Sequence, residues 1–364
     1  MIKAAENIDA EIFVVDNNST DGSDLFFTER FPQVKFIWNK ENAGFAKANN
    51  EALRSATGQK ILFLNPDTIV PEGCFEKCLT FFSTQQSIGA LGVKMIDGGG
   101  CYLPESKRGF PSIFTSFCKI SGIIKLFPHS KLLAGYYLGH LPENEINEID
   151  VLPGAFMMVD KSVLDITGSF DETFFMYAED IDLSYRIQKA GFKNFYFPAT
   201  TIIHFKGEST RKKSVQYIRN FYGAMQLFVK KHYGKVTGSL YTLMIQMVMA
   251  AKSVLPDIKK SVPDPSKVCS HNKAFILGGI ETFQEMEQSI RQHFSDVERA
   301  DNIKDIRVMH AALILCESQH SFAEMISIME GHKKAYEFFI HAAGTNSIVG
   351  SIDKNTTGNF IMMT

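Results

Sequence analysis

The sequence has 364 residues, of which 45% are hydrophobic and 21% are charged. A chain of this length and composition can bury a large core, in two domains or in one large domain with an appendage, and extended disorder is excluded. The net charge of -2 gives no bulk electrostatic basis for binding nucleic acid, so no nucleic-acid partner is expected.

The six cysteines are scattered and form no CxxC pair. Cys74 and Cys78 lie four positions apart on a predicted helix, but no histidine or second cysteine pair accompanies them. We therefore expect core or surface thiols in a reducing compartment. The first residues lack the apolar run of a signal peptide, which favours a cytoplasmic protein.

Strands and helices alternate in the first part of the chain. Apolar runs at 11–15, 34–38 and 60–64 predict strands, and helices are expected from Asp24 and after Gly44. This alternation predicts an α/β fold with a mostly parallel sheet. Because ligands bind beyond the carboxyl ends of such strands, we expect Asp16 and Asp67 to face one crevice.

The middle of the chain is less regular. Residues 88–95 and 151–159 read as strands, and 161–166 as a short helix. The segment 110–141 is rich in Phe, Ile, Leu and Tyr, with interspersed lysines. It is either a mobile loop region on the acceptor side of a site or ordinary packing under a long excursion.

An acidic stretch at 173–186 places Glu179, Asp180 and Asp182 directly behind an apolar and aromatic run. The pattern that follows predicts a helix ending near Gly191, so the carboxylates lie at its N-terminus, where negative charge is favoured. One interpretation is an acidic N-cap on a surface helix. The other is a base that projects into a pocket.

The segment from 215 to 254 is helical and apolar, and Lys230, Lys231, His232 and Lys235 precede its second part. That part has too few apolar residues to span a bilayer, which takes about 20. It is either an amphipathic helix on an anionic membrane surface or a helix packed on the preceding domain.

The last hundred or so residues restart an α/β pattern after a Pro-containing linker at 256–267. Strands are predicted at 274–279, 311–316, 336–340 and 347–352. Gly278 and Gly279 follow a strand as in a Rossmann turn, but GxGxxG is absent, so no dinucleotide is assigned. The resulting division is a first domain at 1–214, a helical segment and linker at 215–262, and a small Rossmann-like α/β domain of unknown role at 263–364.

Five motifs together resemble the family-2 nucleotide-sugar glycosyltransferases of the GT-A fold, particularly their bacterial rhamnosyltransferase-like branch. They are residues 15–23 (VDNNSTDGS), 42–50 (NAGFAKANN), 64–68 (LNPDT), 174–183 (FFMYAEDIDL) and 204–209 (HFKGES). The resemblance covers about residues 8–230. It implies an enzyme that moves a sugar from a dTDP- or UDP-sugar to a saccharide or lipid-linked saccharide in cell-surface polysaccharide synthesis. Peripheral contact of the protein with the cytoplasmic membrane surface is left open.

The resemblance also implies roles for single residues on the donor side. Asp16, with Asn18 beside it, would contact the nucleotide base, and the other candidates that line the nucleotide site are Asn42, Gly44, Asn49 and Asn65. For Gly44, the alternative to a close approach to the phosphates is an ordinary glycine at a helix start.

The family's metal-binding Asp-x-Asp element stands here as Asn65-Pro66-Asp67, so Asp67 is the implied ligand of Mg²⁺ or Mn²⁺. His204 is the second implied ligand and would favour Mn²⁺. The alternative for His204 is a strand-end histidine with a hydrogen-bonded ring.

On the acceptor side, the resemblance makes Asp180 the catalytic base of an inverting transfer, with Glu179 and Asp182 positioning the acceptor or holding Asp180. Arg186 is expected to pair with one of them, one helical turn on.

The start of the chain departs from the family pattern, and this departure is expected to affect donor binding. The chain as given starts after the family's first strand, so the strands that carry Asp16 and Asp67 should lack a shared neighbour. The alternative function is therefore a catalytically inactive binding or scaffold protein that has lost donor binding.

Overall fold

The computed structural model describes residues 1–205, 215–254, 272–351 and 359–363, and within the helix at 215–254 it describes side chains from 220 to 248. The predicted loop at 208–213, the linker at 256–267 and Cys269 lie outside the described residues. So do the predicted domain boundaries at 214 and 262, which stay a prediction.

The N-terminal part of the chain forms a small parallel sheet of its own. Its elements are a 3-10 helix (Lys3–Ala5), β1 (Phe13–Asp16), α1 (Ser23–Arg30), β2 (Lys35–Trp38) and α2 (Phe45–Leu53). β1 pairs with β2 so that Asp16 lies opposite Trp38. Within the described chain, neither strand joins the main sheet. The expected lack of a strand shared between the Asp16 strand and the Asp67 strand is therefore observed.

The main sheet is mixed. Its strands are β3 (Lys60–Leu64), β4 (Thr68–Ile69), β5 (Ile88–Ile96), β6 (Asn147–Ile149), β7 (Phe156–Asp160) and β8 (Lys193–His204). Their order is β3-β7-β5-β8-β4, with β6 beside β8. β5 and β8 are parallel, whereas β7 is antiparallel to both of its neighbours. The α/β class is as predicted, but the prediction of a mostly parallel sheet is wrong for this sheet, because among its described pairings only that of β5 with β8 is parallel.

Helices cover both faces of this sheet. They are α3 (Cys74–Thr84), α6 (Lys161–Thr167) and α7 (Glu179–Lys189). Cys74 and Cys78 have no exposed surface and belong to the core between α3 and the sheet. Phe81 stacks on Phe197 of β8 with ring centroids 4.7 Å apart. These two thiols are core residues, which is one of the two placements expected from the sequence.

The apolar excursion forms α4 (Ile113–Ser121) and α5 (Ile123–Leu126), and it packs on α8 (Val215–Val254). Ser112 and Thr115 form a capping box that fixes the start of α4. α8 has a break in its helical geometry at Gly234. Packing on the preceding domain, one of the two alternatives for this helix, is therefore observed. No helix among the described residues combines the length and the apolar content needed to cross a bilayer.

The C-terminal part is an α/β unit with a sheet in the order β10-β9-β11-β12-β13-β14, the first four strands being parallel. Its elements are β9 (Lys273–Leu277), α9 (Ile280–Ile290), β10 (Asp296–Ala300), a 3-10 helix (Ile303–Asp305), β11 (Ala312–Cys316), α10 (Phe322–Gly331), β12 (Glu337–His341), β13 (Ser347–Gly350) and β14 (Asn359–Met362). β10 and β14 were not predicted.

The C-terminal unit packs directly against the main sheet. Ile96 and Ile203, at the ends of β5 and β8, belong to one core cluster with Leu313 and other residues of the unit. The Glu72 carboxylate accepts hydrogen bonds from the N–H groups of Phe322 and Ala323 at the N-terminus of α10, at 3.3 and 3.2 Å. Because negative charge is favoured at a helix N-terminus, this contact helps to fix the unit on the sheet.

Candidate active site

The acidic stretch begins α7, as the sequence predicts. Tyr177 and Ala178 both have positive φ, at 71° and 65°. Such backbone is uncommon for residues with a Cβ and makes a sharp entry into the helix. Glu179 and Asp180 then lie in the first turn, 7% and 9% exposed, and Asp182 has no exposed surface. The acidic residues are therefore not an ordinary solvated cap.

Asp180 is held by donors on both of its oxygens. Oδ2 forms an ion pair with Arg108 and accepts the Gly154 N–H at 3.1 Å. Oδ1 accepts the Ile181 N–H at 2.8 Å. Arg108 also donates to the Leu152 carbonyl oxygen at 3.2 Å. A carboxylate oxygen has two lone-pair directions, so Oδ1, which accepts one hydrogen bond from the described residues, keeps one direction for a further proton.

Glu179 lies beside Asp180 and is electrostatically different from it. Burial, together with the negative charge of Asp180, raises the pKa of Glu179 to about 8. Its Oε2 atom is buried without a hydrogen-bond partner among the described residues. At neutral pH, Glu179 is therefore mainly protonated and adds little negative charge next to Asp180.

The raised pKa of Glu179 makes stability fall with increasing pH. The unfolded chain releases this proton near the ordinary value of 4.5, whereas the folded protein keeps it up to about 8, so folding is penalised across that interval. We expect Glu179→Gln to remove this penalty. The free energy of unfolding of the variant should exceed that of wild type by on the order of 2 kcal/mol at about pH 8, but by little at about pH 5. Urea unfolding at both pH values measures this. A gain in stability that does not depend on pH would contradict the raised pKa of Glu179. The control variant is Glu29→Gln on α1.

Asp182 is an internal anchor. It accepts from Arg186 Nε at 2.7 Å and Lys231 Nζ at 2.6 Å, and His232 Nε2 lies 2.6 Å from its Oδ1. Burial alone would raise the pKa of Asp182, but Lys231, Arg186 and His232 together lower it. The expected pairing of Arg186 is observed. The predicted role of Asp182 in positioning an acceptor does not fit this placement, because a side chain with no exposed surface cannot touch one.

The turn after β1 brings Asp16 to the loop before α2. Asp16 Oδ2 accepts the Ser19 N–H at 2.8 Å, and Asn18 in between has a φ of 66°. Asn17, which was not predicted, donates to the Gly44 carbonyl oxygen at 3.3 Å. Asn42 Oδ1 in turn accepts the Gly44 N–H at 3.0 Å. Asp16, Asn18, Asn42 and Gly44 therefore share one corner of the fold.

Gly44 is required by its contact with the acidic stretch. Its φ is 85°, and a Cβ there would lie 2.4 Å from the Phe175 carbonyl oxygen. That oxygen accepts the Phe45 N–H at 2.9 Å. The structure thus gives a reason for this glycine other than phosphate approach or an ordinary helix start. Asn49 donates to the Phe45 carbonyl oxygen within α2, at 2.9 Å.

Asp67 and His204 lie side by side, on the short connection between β3 and β4 and at the end of β8. Asp67 Oδ1 is 3.2 Å from His204 Nε2, and the two side chains are 11% and 8% exposed. Asn65 Nδ2 lies 3.4 Å from the same ring nitrogen. His204 Nδ1 is buried without a hydrogen-bond partner among the described residues.

This pair fits two ligands of one divalent ion. Two ligands at right angles, each about 2.1 Å from an ion, lie about 3 Å apart. Within the described residues there is no cluster of three or more His, Cys, Asp or Glu side chains suited to a metal. Substrate phosphates and water complete the shell of Mg²⁺ in many nucleotide sites, so two protein ligands are compatible with such an ion.

Hydrogen bonds donated by backbone N–H groups link the surroundings of the three groups. The Asn65 N–H donates to the Ala155 carbonyl oxygen at 3.1 Å, and the neighbouring Gly154 N–H donates to Asp180. The Phe45 N–H, next to Gly44, donates to Phe175, which lies just before α7. The fold therefore brings the Asp16 corner, the Asp67–His204 pair and Asp180 around one region.

A cationic cluster behind Asp180 was missed in the sequence. Lys119 Nζ lies 3.6 Å from the ring centroid of Tyr136. Burial lowers the pKa of Lys119. The pKa of Tyr136 is also lowered, because Lys119 and Arg108 outweigh the effect of burial. The only sequence signal was a set of basic residues in an apolar segment, which did not point to Asp180.

The model of the family described as glycosyl transferase family 2 matches residues 1–136. This part of the chain is therefore similar to the family 2 glycosyl transferases. This match and the names of the relatives confirm the predicted resemblance to family 2 and the prediction of a glycosyltransferase enzyme.

Two relatives that are similar to this chain are named as rhamnosyltransferases. The N-acetylglucosaminyl-diphospho-decaprenol L-rhamnosyltransferase of Mycobacterium tuberculosis is 27% identical over 230 residues, which is 60% of this chain and 74% of the relative. The rhamnosyltransferase WbbL of Escherichia coli K12 is 28% identical over 182 residues, which is 46% of this chain and 63% of that protein.

Two solved structures are also similar to this glycosyltransferase. GalNAc-T7 with UDP, GalNAc and Mn²⁺ has a TM-score of 0.43 and 16% identity over 61% of this chain and 41% of its own. The mannosyltransferase PcManGT of Pyrobaculum calidifontis with GDP-Man and Mn²⁺ has a TM-score of 0.39 and 15% identity over 67% of this chain and 66% of its own.

Proposed function

We propose that this protein is a metal-dependent, inverting glycosyltransferase. It would transfer a sugar from a dTDP- or UDP-sugar to a saccharide or lipid-linked saccharide acceptor in the synthesis of a cell-surface polysaccharide. The observation that carries the proposal is the set of hydrogen bonds from the backbone N–H groups of Phe45, Asn65 and Gly154, which link the neighbourhoods of the Asp16 corner, the Asp67–His204 pair and Asp180. An acceptor of this kind is supported by the name of the mycobacterial relative, whose substrate is a sugar on diphospho-decaprenol.

Asp180 is the proposed base. Its Oδ1 atom would take the proton from the acceptor hydroxyl while that oxygen attacks the anomeric carbon from the face opposite the leaving group. The new glycosidic bond forms as the bond to the nucleoside diphosphate breaks, so the configuration inverts. Arg108 and Gly154 would keep the other oxygen fixed. We propose that Asp182 instead stabilises the packing of α7 against α8.

The donor would lie between the Asp16 corner and the Asp67–His204 pair. Asp16 and Asn18 are proposed to contact the nucleotide, with Asn42, Asn49 and Asn65 nearby. Asp67 and His204 are proposed to hold a divalent ion, Mg²⁺ or Mn²⁺. Such an ion stabilises the negative charge that develops on a departing diphosphate.

Asp67→Asn tests the metal and donor assignments together. We expect wild-type protein to bind UDP or dTDP with a heat that depends on Mn²⁺, and the variant to bind at least about tenfold more weakly, because a neutral amide is a poor ligand for a divalent ion. Isothermal titration calorimetry with and without Mn²⁺ measures this. Asp165→Asn, at an exposed position of α6, is the matched control and should behave as wild type. Wild-type binding that does not respond to Mn²⁺ would contradict the metal assignment.

A further inference from the structure

The second half of α8 is apolar on two opposite sides. On one side Tyr241, Met244 and Ile245 are buried against the preceding domain. On the other side Val236, Leu240, Leu243 and Met247 are 76%, 54%, 51% and 58% exposed. Their spacing of four, three and four positions places them in one stripe along the helix. A packed helix does not need this second stripe for its own core.

The neighbouring helix α4 adds exposed aromatic residues. Phe114 and Phe117, three positions apart, are 45% and 38% exposed. α4 is fixed to α8 by a hydrogen bond of 3.0 Å between the hydroxyl groups of Tyr241 and Ser116. Exposed apolar side chains on two helices in contact are uncommon on a free protein surface and indicate that something covers them.

The distribution of charged residues indicates what kind of partner covers these apolar side chains. Residues 106–142 contain 5 of the 38 Lys and Arg residues of the chain, and residues 209–256 contain 8 of them. Neither segment contains any of the 40 Asp and Glu residues. These two segments include α4, α5 and all of α8. Lys125, Lys131, Lys230 and Lys235 are exposed there. Among the described residues, α4, α5 and α8 thus expose lysines and apolar side chains but carry no carboxylate of their own, in a chain whose net charge is -2.

We propose that the exposed faces of α4 and of the second half of α8 dock on an anionic lipid bilayer. The apolar stripe would enter the boundary between head groups and acyl chains, and the lysines would contact anionic head groups, as in helices that lie in the plane of a membrane. The proposal stands on this surface alone. If the proposed function also holds, α4, whose Lys119 interacts electrostatically with Arg108, the ion-pair partner of Asp180, would bring the reaction close to a lipid-linked acceptor.

Vesicle co-sedimentation of the full-length protein tests the proposal. We expect wild type to sediment with vesicles of phosphatidylcholine and phosphatidylglycerol, and at least about tenfold less with phosphatidylcholine alone. Leu240→Ser/Leu243→Ser should reduce binding to the anionic vesicles by at least about tenfold. Both leucines are half exposed, so the variant should keep its fold. The matched control is Ile166→Ser/Ile280→Ser, at exposed positions of α6 and α9, which should bind as wild type.

Three outcomes would overturn the proposal: no sedimentation of wild type, equal binding of the serine pair and its control, or equal binding to neutral and anionic vesicles. A wild-type dimer that Leu240→Ser/Leu243→Ser converts to a monomer, without vesicle binding, would assign the face to a second copy of the chain. Nucleotide binding measured on the same samples separates this proposal from the proposed function. If wild type binds vesicles but no nucleotide, the docking surface stands and the donor assignment fails.

Discussion

Replacement of Asp180 by asparagine is expected to lower kcat by about 10³-fold, because the amide keeps the shape of the side chain but cannot take the acceptor proton. The apparent KM for the donor should stay within about twofold, since the proposed donor contacts lie elsewhere. Steady-state release of nucleoside diphosphate, with donor and acceptor both present, measures the two constants. Asp165→Asn is again the matched control.

The substitution also leaves Arg108 without its ion-pair partner, which can destabilise the protein. A second variant, Arg108→Met/Asp180→Asn, removes both charges together and should be the more stable of the two. It should be as inactive as Asp180→Asn. A full transfer rate in either folded variant would contradict the assignment of Asp180 as the base.

Replacement of Asp182 by asparagine is expected to cost about 4 kcal/mol of unfolding free energy. The carboxylate has no exposed surface and contacts three side chains that carry or can carry positive charge, from α7 and α8. Its loss leaves these groups without their common anion. Urea unfolding measures the change.

The chain offers a close control, because Asp171 pairs with the same Lys231 at 2.7 Å but is 25% exposed. Asp171→Asn should cost less than about 1 kcal/mol. Equal losses in the two variants would contradict the anchoring role of Asp182. So would a folded Asp182→Asn protein whose turnover falls as far as that of Asp180→Asn, because an anchor does not contact the substrate.

Local patterns in the sequence were enough to predict α7 and the strands β1, β2, β3, β5 and β7, but not the short strands β4 and β6. The acidic first turn of α7 and Gly191 after its end are local signals that the fold obeys. β10, in contrast, has only two buried residues in five and reads as polar, because it lies at the edge of its sheet. Periodicity cannot identify a strand that buries so little.

The site was predicted less completely because its contacts are long-range. The local pattern does not distinguish Glu179, Asp180 and Asp182, and only the family resemblance singled out Asp180 as the base. The structure distinguishes them through residues far away in the chain: Arg108 is 72 positions from Asp180, and Lys231 is 49 positions from Asp182. Gly44 was noticed as a possible phosphate contact, yet the close backbone of Phe175 requires it. No local pattern encodes such pairings.

Acceptor-dependent turnover of a panel of dTDP- and UDP-sugars, in the presence of Mn²⁺, tests the central claim most directly. Proton NMR of the first product, with a saccharide on a lipid diphosphate as acceptor, reports the configuration of the new glycosidic bond. The account predicts release of nucleoside diphosphate only when acceptor is present, and an anomeric configuration opposite to that of the donor. A product that retains the donor configuration, or a protein that neither binds nor turns over any donor of the panel, would contradict it.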